Sequence, residues 1–220
     1  MKLTSTQRTA LWAGVAVLTV GIAAIVYTLT KRRSDRVLTG TGGGGNIVTG
    51  AVQAVVDKIK ETTGMQYFTI SELTRSSTAE NHKPPIDNTP TPEIRAKLET
   101  LITGCLDPIR RIYGKPIIVS SGYRSPQLNA AVGGVSNSQH TKGEAADLVP
   151  ASGGSLAGIF RSAVQFGNFD QLIIEQKGNS KWVHVSYTGT PRRRILAYKN
   201  GRYTDITNNW ENYLTTNNIA

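Results

Sequence analysis

The chain has one cysteine and three histidines in 220 residues, and each scarcity narrows what it can be. With Cys105 alone, no disulfide can close within the chain. The same residue shares helical spacing with Leu98, Leu101, Ile102 and Leu106, which makes it a packing group rather than a nucleophile. No segment repeats. Acidic residues are also few: 15 Asp and Glu against 25 Lys and Arg leave a net charge of +10, about half of it carried by residues 1 to 36. That balance suits an anionic partner. It does not indicate nucleic acid, because no nucleic-acid-binding motif accompanies it, and no such partner is expected.

Two of the three histidines fall in one constellation: Ser138-Gln-His140-Thr-Lys-Gly143-Glu-Ala-Ala-Asp147, answered by Trp182-Val-His184-Val-Ser186. A catalytic zinc takes three protein ligands and leaves a fourth position open. His140, Asp147 and His184 make that set. Ala145 to Val149 and Trp182 to Ser186 read as short strands, the second with Val183 and Val185 on one face and Trp182, His184 and Ser186 on the other. Asp147 and His184 can then point from a sheet into one cleft, and Gly143 allows the tight turn that folds His140 back over it.

With these residues stand Ser120-Ser-Gly-Tyr-Arg124-Ser-Pro-Gln-Leu-Asn129, Ala131-Val-Gly-Gly134, and, upstream, Phe68-Thr-Ile-Ser-Glu-Leu-Thr-Arg75-Ser and Ile86-Asp-Asn-Thr-Pro90-Thr-Pro. Together, over about residues 66 to 190, they resemble the M15 family of zinc D-Ala-D-Ala carboxypeptidases and phage-type endopeptidases, in particular its small phage-associated branch. The resemblance implies the fold of the Hedgehog signalling domain: an α+β unit in which an antiparallel sheet, flanked by helices, lines a zinc cleft. It implies peptidoglycan stem peptides as substrate and Zn2+ as cofactor. It also implies that Arg124 faces the scissile carbonyl, where a guanidinium stabilises developing negative charge. Ser138 and Gln139 would bond the substrate, and Tyr123 and Trp182 would wall the cleft.

One position departs from the pattern. Many members carry an acid three residues before the last histidine, acting as general base; here that residue is Lys181. A lysine cannot accept a proton at neutral pH unless its pKa is strongly lowered. Glu175, at the end of the apolar run Leu172 to Ile174, is the nearest substitute on a neighbouring strand, with Asp170 and Glu144 behind it. Two functions follow: a zinc peptidase using Glu175, or a peptidoglycan-binding or structural virion protein that keeps the cleft without turnover.

The apolar run Ala10 to Thr30 has no charge, has Trp12 and Tyr27 near its ends, and leads into Lys31-Arg-Arg33. It is long enough to cross a bilayer as one uncleaved helix. The expected organisation is therefore a membrane anchor with a basic flank over 1–36, a glycine-rich linker and short amphipathic helix over 37–63, and the peptidase-like domain over 64–220. The basic flank favours keeping that domain in the cytoplasm, whereas the wall lies on the other side; assembly in a virion would remove the conflict. Within the domain, Thr91-Pro92-Glu93 starts a helix closed by Gly114 and kinked by Pro108, and Ser155 to Phe166 forms another, stopped by Gly167. His82, in a proline-rich loop, is expected to be solvated.

Overall fold

The computed structural model describes residues 63–219. The expected membrane span, glycine linker and amphipathic helix lie outside the described residues. No helix among the described residues is long and apolar enough to cross a membrane.

Near the start of the described residues are two short helices, α1 (Ile70–Thr74) and α2 (Ser77–Asn81). Thr69 and Glu72 form a reciprocal capping box on α1, and the Ser76 side chain caps α2. A longer helical stretch follows as α3 (Pro92–Leu101), a π-helical turn (Ile102–Leu106) and α4 (Asp107–Tyr113). Thr91 accepts a hydrogen bond from the Ile94 amide, and Gly114 ends the stretch at φ 72°, a left-handed conformation that glycine adopts without a Cβ penalty. Where Pro108 was expected to kink the helix, the π-turn widens the ladder just before it: the Asp107 amide bonds to Ile102. The turn absorbs the missing proline donor without ending the helix.

Six strands make one sheet in the order β1-β2-β4-β3-β5-β6. They are β1 (Ile117–Ser121), β2 (Ala145–Pro150), β3 (Gln171–Lys177), β4 (Ser180–Ser186), β5 (Arg194–Lys199) and β6 (Arg202–Asp205). Between them come α5 (Pro126–Ala131), a 3-10 turn (Gln139–Lys142) and α6 (Leu156–Phe166), and α7 (Trp210–Thr216) follows β6. The sheet was expected to be antiparallel, but β3 and β5 run parallel. The reason is the short connection after β4: it returns the chain to where β3 begins, with Arg193 and Arg194 bonding to Phe169 and Asp170. A strand laid on the free edge of β3 from that point must run in its direction.

Strand alternation divides the sheet into two chemistries. Ala146, Leu148, Leu172, Ile174, Val183, Val185, Ile195 and Ala197 belong to the main core with Ile159 and Phe160 of α6. Burying each such aliphatic side chain contributes about 1.5–3 kcal/mol, enough to fix the register. Register then places the other face in rows: Ser121, Asp147, His184, Ile173, Leu196 and Asp205 across one, and Trp182, Glu175, Tyr198 and Tyr203 across the next.

Candidate metal centre

His140 lies in the 3-10 turn, Asp147 in β2 and His184 in β4 directly opposite Asp147. Gly143, at φ 69°, closes the turn and lets the chain reverse into β2. All three side chains are buried, at 3%, 6% and 7% exposure. His140 Nε2 is 3.2 Å from both His184 Nδ1 and Asp147 Oδ1, and the last two are 3.0 Å apart. Tetrahedral zinc with bonds of about 2.0–2.1 Å separates its ligand atoms by roughly 3.3 Å, so the triangle has the right size for that ion.

Proton placement leads to the same ion. His140 Nδ1 donates to the Gly122 carbonyl at 2.7 Å, which turns the lone pair of a neutral ring's Nε2 toward the Asp147 carboxylate. Two lone pairs at that distance repel unless a cation stands among them. Positive charge beside Asp147 is needed in either case: burial by itself raises its pKa, and without an ion only protonated His140 and His184 rings, through their charge and hydrogen bonds, would hold the carboxyl well below the usual range. An anion, two imidazoles and an outer hydrogen bond that fixes the ring tautomer are a fitting donor set for zinc.

Arg124 braces this set. Its Nη2 donates to Asp147 Oδ2 at 2.7 Å and its Nε to Ser121 Oγ at 2.9 Å, while its second terminal nitrogen makes no hydrogen bond among the described residues. Gly122 is packed too closely for any other residue: a Cβ there would lie 2.7 Å from the Leu73 Cα. The adjoining Tyr123 amide bonds to Leu73 at 2.6 Å, and the Arg124 amide to the His140 carbonyl at 3.2 Å. The segment thus ties α1 to the histidine turn.

The remaining expected residues fall in several places. Glu175 is on the site face, opposite Trp182, with Oε1 4.0 Å from His184 Nδ1. Burial, with some help from Asp147, raises its pKa above that of an ordinary glutamate despite His184 and Arg124. Lys181 is on the other parity, and its Nζ reaches the carbonyls of Asn217 and Asn218 just past α7. Glu144 pairs with Lys97 at 2.7 Å. Asp170, 2% exposed, accepts from Arg192 Nη2 at 2.6 Å, Nε at 2.8 Å and the Arg192 amide at 3.1 Å, and from Gln139 Nε2 at 3.0 Å. Gln139, expected to bond substrate, is therefore engaged in holding the histidine turn to the start of β3.

Ser138 likewise caps that turn, its Oγ accepting from the His140 amide at 3.3 Å. Tyr123, expected on the cleft wall, is 6% exposed and packed in the main core. Trp182 is half-buried on the site face, with its indole N–H buried and unpaired among the described residues. His82 is exposed and bonds to Pro84 within its own loop.

A family profile described as peptidase M15 matches residues 66–186, more than half of the chain. The chain belongs to the peptidase M15 family. A zinc D-Ala-D-Ala carboxypeptidase of Streptomyces albus G is 40% identical to this M15 peptidase over 72 residues, which are 33% of this chain and 28% of that protein. The family match encloses all three metal-site residues and Glu175, and ends at the last residue of β4. Strands β5 and β6 and helix α7 of this M15 peptidase lie beyond it.

Two structural acids had no local signal. Asp107, 2% exposed, accepts the backbone amides of Gln66, Tyr67 and Phe68 at 2.6, 3.0 and 3.3 Å and so holds the start of the domain. Asp170 joins Gln139 and Arg192, its partners 31 and 22 positions away. Such pairings exist only once the fold has formed.

Proposed function

We propose that this M15 peptidase is a zinc metallopeptidase that hydrolyses a peptide bond in peptidoglycan stem peptides or their cross-links, as a D,D-carboxypeptidase or an endopeptidase. The observation that carries it is Glu175: a half-buried carboxylate with a raised pKa, on the same sheet face as the metal-site side chains and 4.0 Å from His184 Nδ1. His140, Asp147 and His184 would hold the ion. Zinc, when bound, supplies Lewis acidity to the scissile carbonyl and makes water a stronger acid.

The chain's own residues divide the rest. Glu175 takes one proton from the attacking water as its oxygen bonds to the carbonyl carbon. It then gives that proton to the amide nitrogen as the C–N bond breaks, leaving an acid and an amine. Arg124, fixed through Ser121 and Asp147, has one terminal nitrogen left to donate to the carbonyl oxygen as charge develops there. Trp182 and Ser138 border the substrate. The apolar run Ala10 to Thr30 would tether the domain to a membrane on the wall side or within a virion, and retention in the pellet after alkaline extraction tests this.

The full chain, loaded with zinc, should release free D-alanine or new amino termini from purified peptidoglycan. The first product marks a carboxypeptidase and the second an endopeptidase. Glu175→Gln should lower the rate at least about 100-fold while leaving zinc content unchanged. An inert zinc-loaded parent would overturn the hydrolase reading, and a fully active Gln variant would remove Glu175 from it.

A further inference from the structure

Beside the metal centre, on the side away from Arg124, the site face sinks into a cavity of about 310 Å³ lined by Gln171, Ile173, Arg194, Leu196, Tyr203 and Asp205. Its floor is apolar: Ile173 is 3% and Leu196 5% exposed. Ile173 pairs with His184 on one side and with Leu196 on the other, so the floor is the direct continuation of the metal-site row. Neighbouring strands are about 4.8 Å apart, which puts the floor roughly 5–10 Å from His184. An extended peptide covers that span in about two or three residues.

The rim carries charge. Arg194 and Asp205 are both half-exposed and form an ion pair, Arg194 Nη2 to Asp205 Oδ2 at 3.7 Å, longer than a hydrogen bond. The other carboxylate oxygen of Asp205, Oδ1, accepts the Thr207 amide at 3.0 Å. The arginine, with several N–H donors, keeps some free beyond this one contact. Arg192, by contrast, is tied to Asp170. Tyr203, 56% exposed and packed at a tilt against Tyr198 with ring centroids 4.7 Å apart, forms the outer wall.

Resting on the proposed peptidase reading, we propose that this cavity is a specificity subsite for a substrate residue whose short aliphatic chain ends in a carboxylate. Ile173 and Leu196 would receive the methylenes and Arg194 the carboxylate. The residue occupying it sits one to three positions from the bond that is cut. The strands that form its outer half, β5 and β6, lie outside the stretch matched by the family profile.

The test compares two otherwise identical stem-type peptides, one with a free side-chain carboxylate near the scissile bond and one carboxamidated there, using the zinc-loaded full chain. The parent should prefer the free acid about two- to fivefold in kcat/KM, the range for a partly exposed guanidinium–carboxylate contact. Arg194→Gln should bring that ratio close to one, Arg194→Lys should restore part of it, and Asp205→Asn should raise it. An unchanged ratio in Arg194→Gln, or a parent with no preference, overturns the subsite. Calorimetric binding of the same peptides to zinc-loaded Glu175→Gln reads the subsite independently of turnover. A parent that cleaves neither peptide while this variant binds the free acid more tightly refutes the hydrolase reading and supports the subsite; equal binding refutes the subsite.

Discussion

Replacing Gly122 by alanine should damage the metal centre although residue 122 contributes no ligand atom. The added Cβ would stand 2.7 and 2.8 Å from the Leu73 Cα and carbonyl carbon, whereas carbon atoms rest at about 3.5–4.0 Å. Backbone lies on both sides, so strand end and helix must separate by roughly 1 Å. That movement pulls the Gly122 carbonyl from His140 Nδ1, now 2.7 Å away, and strains the Tyr123–Leu73 bond at 2.6 Å. Overpacking of this kind costs about 1–3 kcal/mol of apo stability. Loss of an outer partner of a ligating histidine costs about 10–100-fold in metal affinity. Urea unfolding of the apo chain and zinc competition against a chromophoric chelator measure the two separately. Gly104→Ala is the control: its Cβ would press at 2.7 Å on the Tyr187 ring, a side chain that can move, so stability should fall while zinc affinity stays within about twofold. Parent-like zinc affinity in Gly122→Ala, or an equal loss in Gly104→Ala, would refute the argument.

Removing zinc with a chelator should lower the thermal midpoint, and restoring it should raise the midpoint with zinc concentration, as binding linkage requires; an unresponsive midpoint means that no ion is held. Asp107→Ala should cost about 3 kcal/mol, because three backbone amides, that of Phe68 buried and the other two partly so, lose a charged acceptor, and Asp107→Asn should cost less; denaturant titration checks both. Asp170→Asn should cost about 2 kcal/mol at neutral pH. Hydrogen bonds from Arg192, partly opposed by burial, lower the Asp170 pKa in the folded state. Its contribution is therefore fully present above the unfolded value near 4 and is lost as pH falls through the lower folded value. Parent and variant stabilities should converge in acid, and a gap that persists there would contradict the assignment.

What could be read along the chain was what neighbouring residues decide among themselves. Thr91, Pro92 and Gly114 bound a helical stretch whose apolar face, Leu98 to Ile109, is fully buried, and Ser155 and Gly167 bound α6 in the same way. The alternation of Trp182 to Ser186 also appears in the sheet as the pattern foretells. The family resemblance puts Tyr123 on the cleft wall, yet its amide crosses to Leu73 and its ring enters the core, a contact across 50 positions that no local pattern records. The parallel β3–β5 pairing, the Asp107 cradle and the Asp170 bridge are non-local for the same reason.

The missing acid at position 181 is where local and non-local information meet. Along β4, position 181 has the parity of Val183 and Val185, which face the core, so its side chain leaves the sheet opposite to His184. In this straight strand a carboxylate at 181 would not project onto the site face, and a lysine there serves the end of α7. On β3, antiparallel pairing sets Ile173 against His184 and Glu175 against Trp182, so an acid at 175 arrives on the site face with no bulge in either strand. Two residues of register, rather than the count back from the last histidine, decide which carboxylate can meet the metal centre. A one-residue slip of β3 would send Glu175 into the core beside Val183 and bring Ile174 to the site, and burial of Leu172 and Ile174 on the core face opposes that slip.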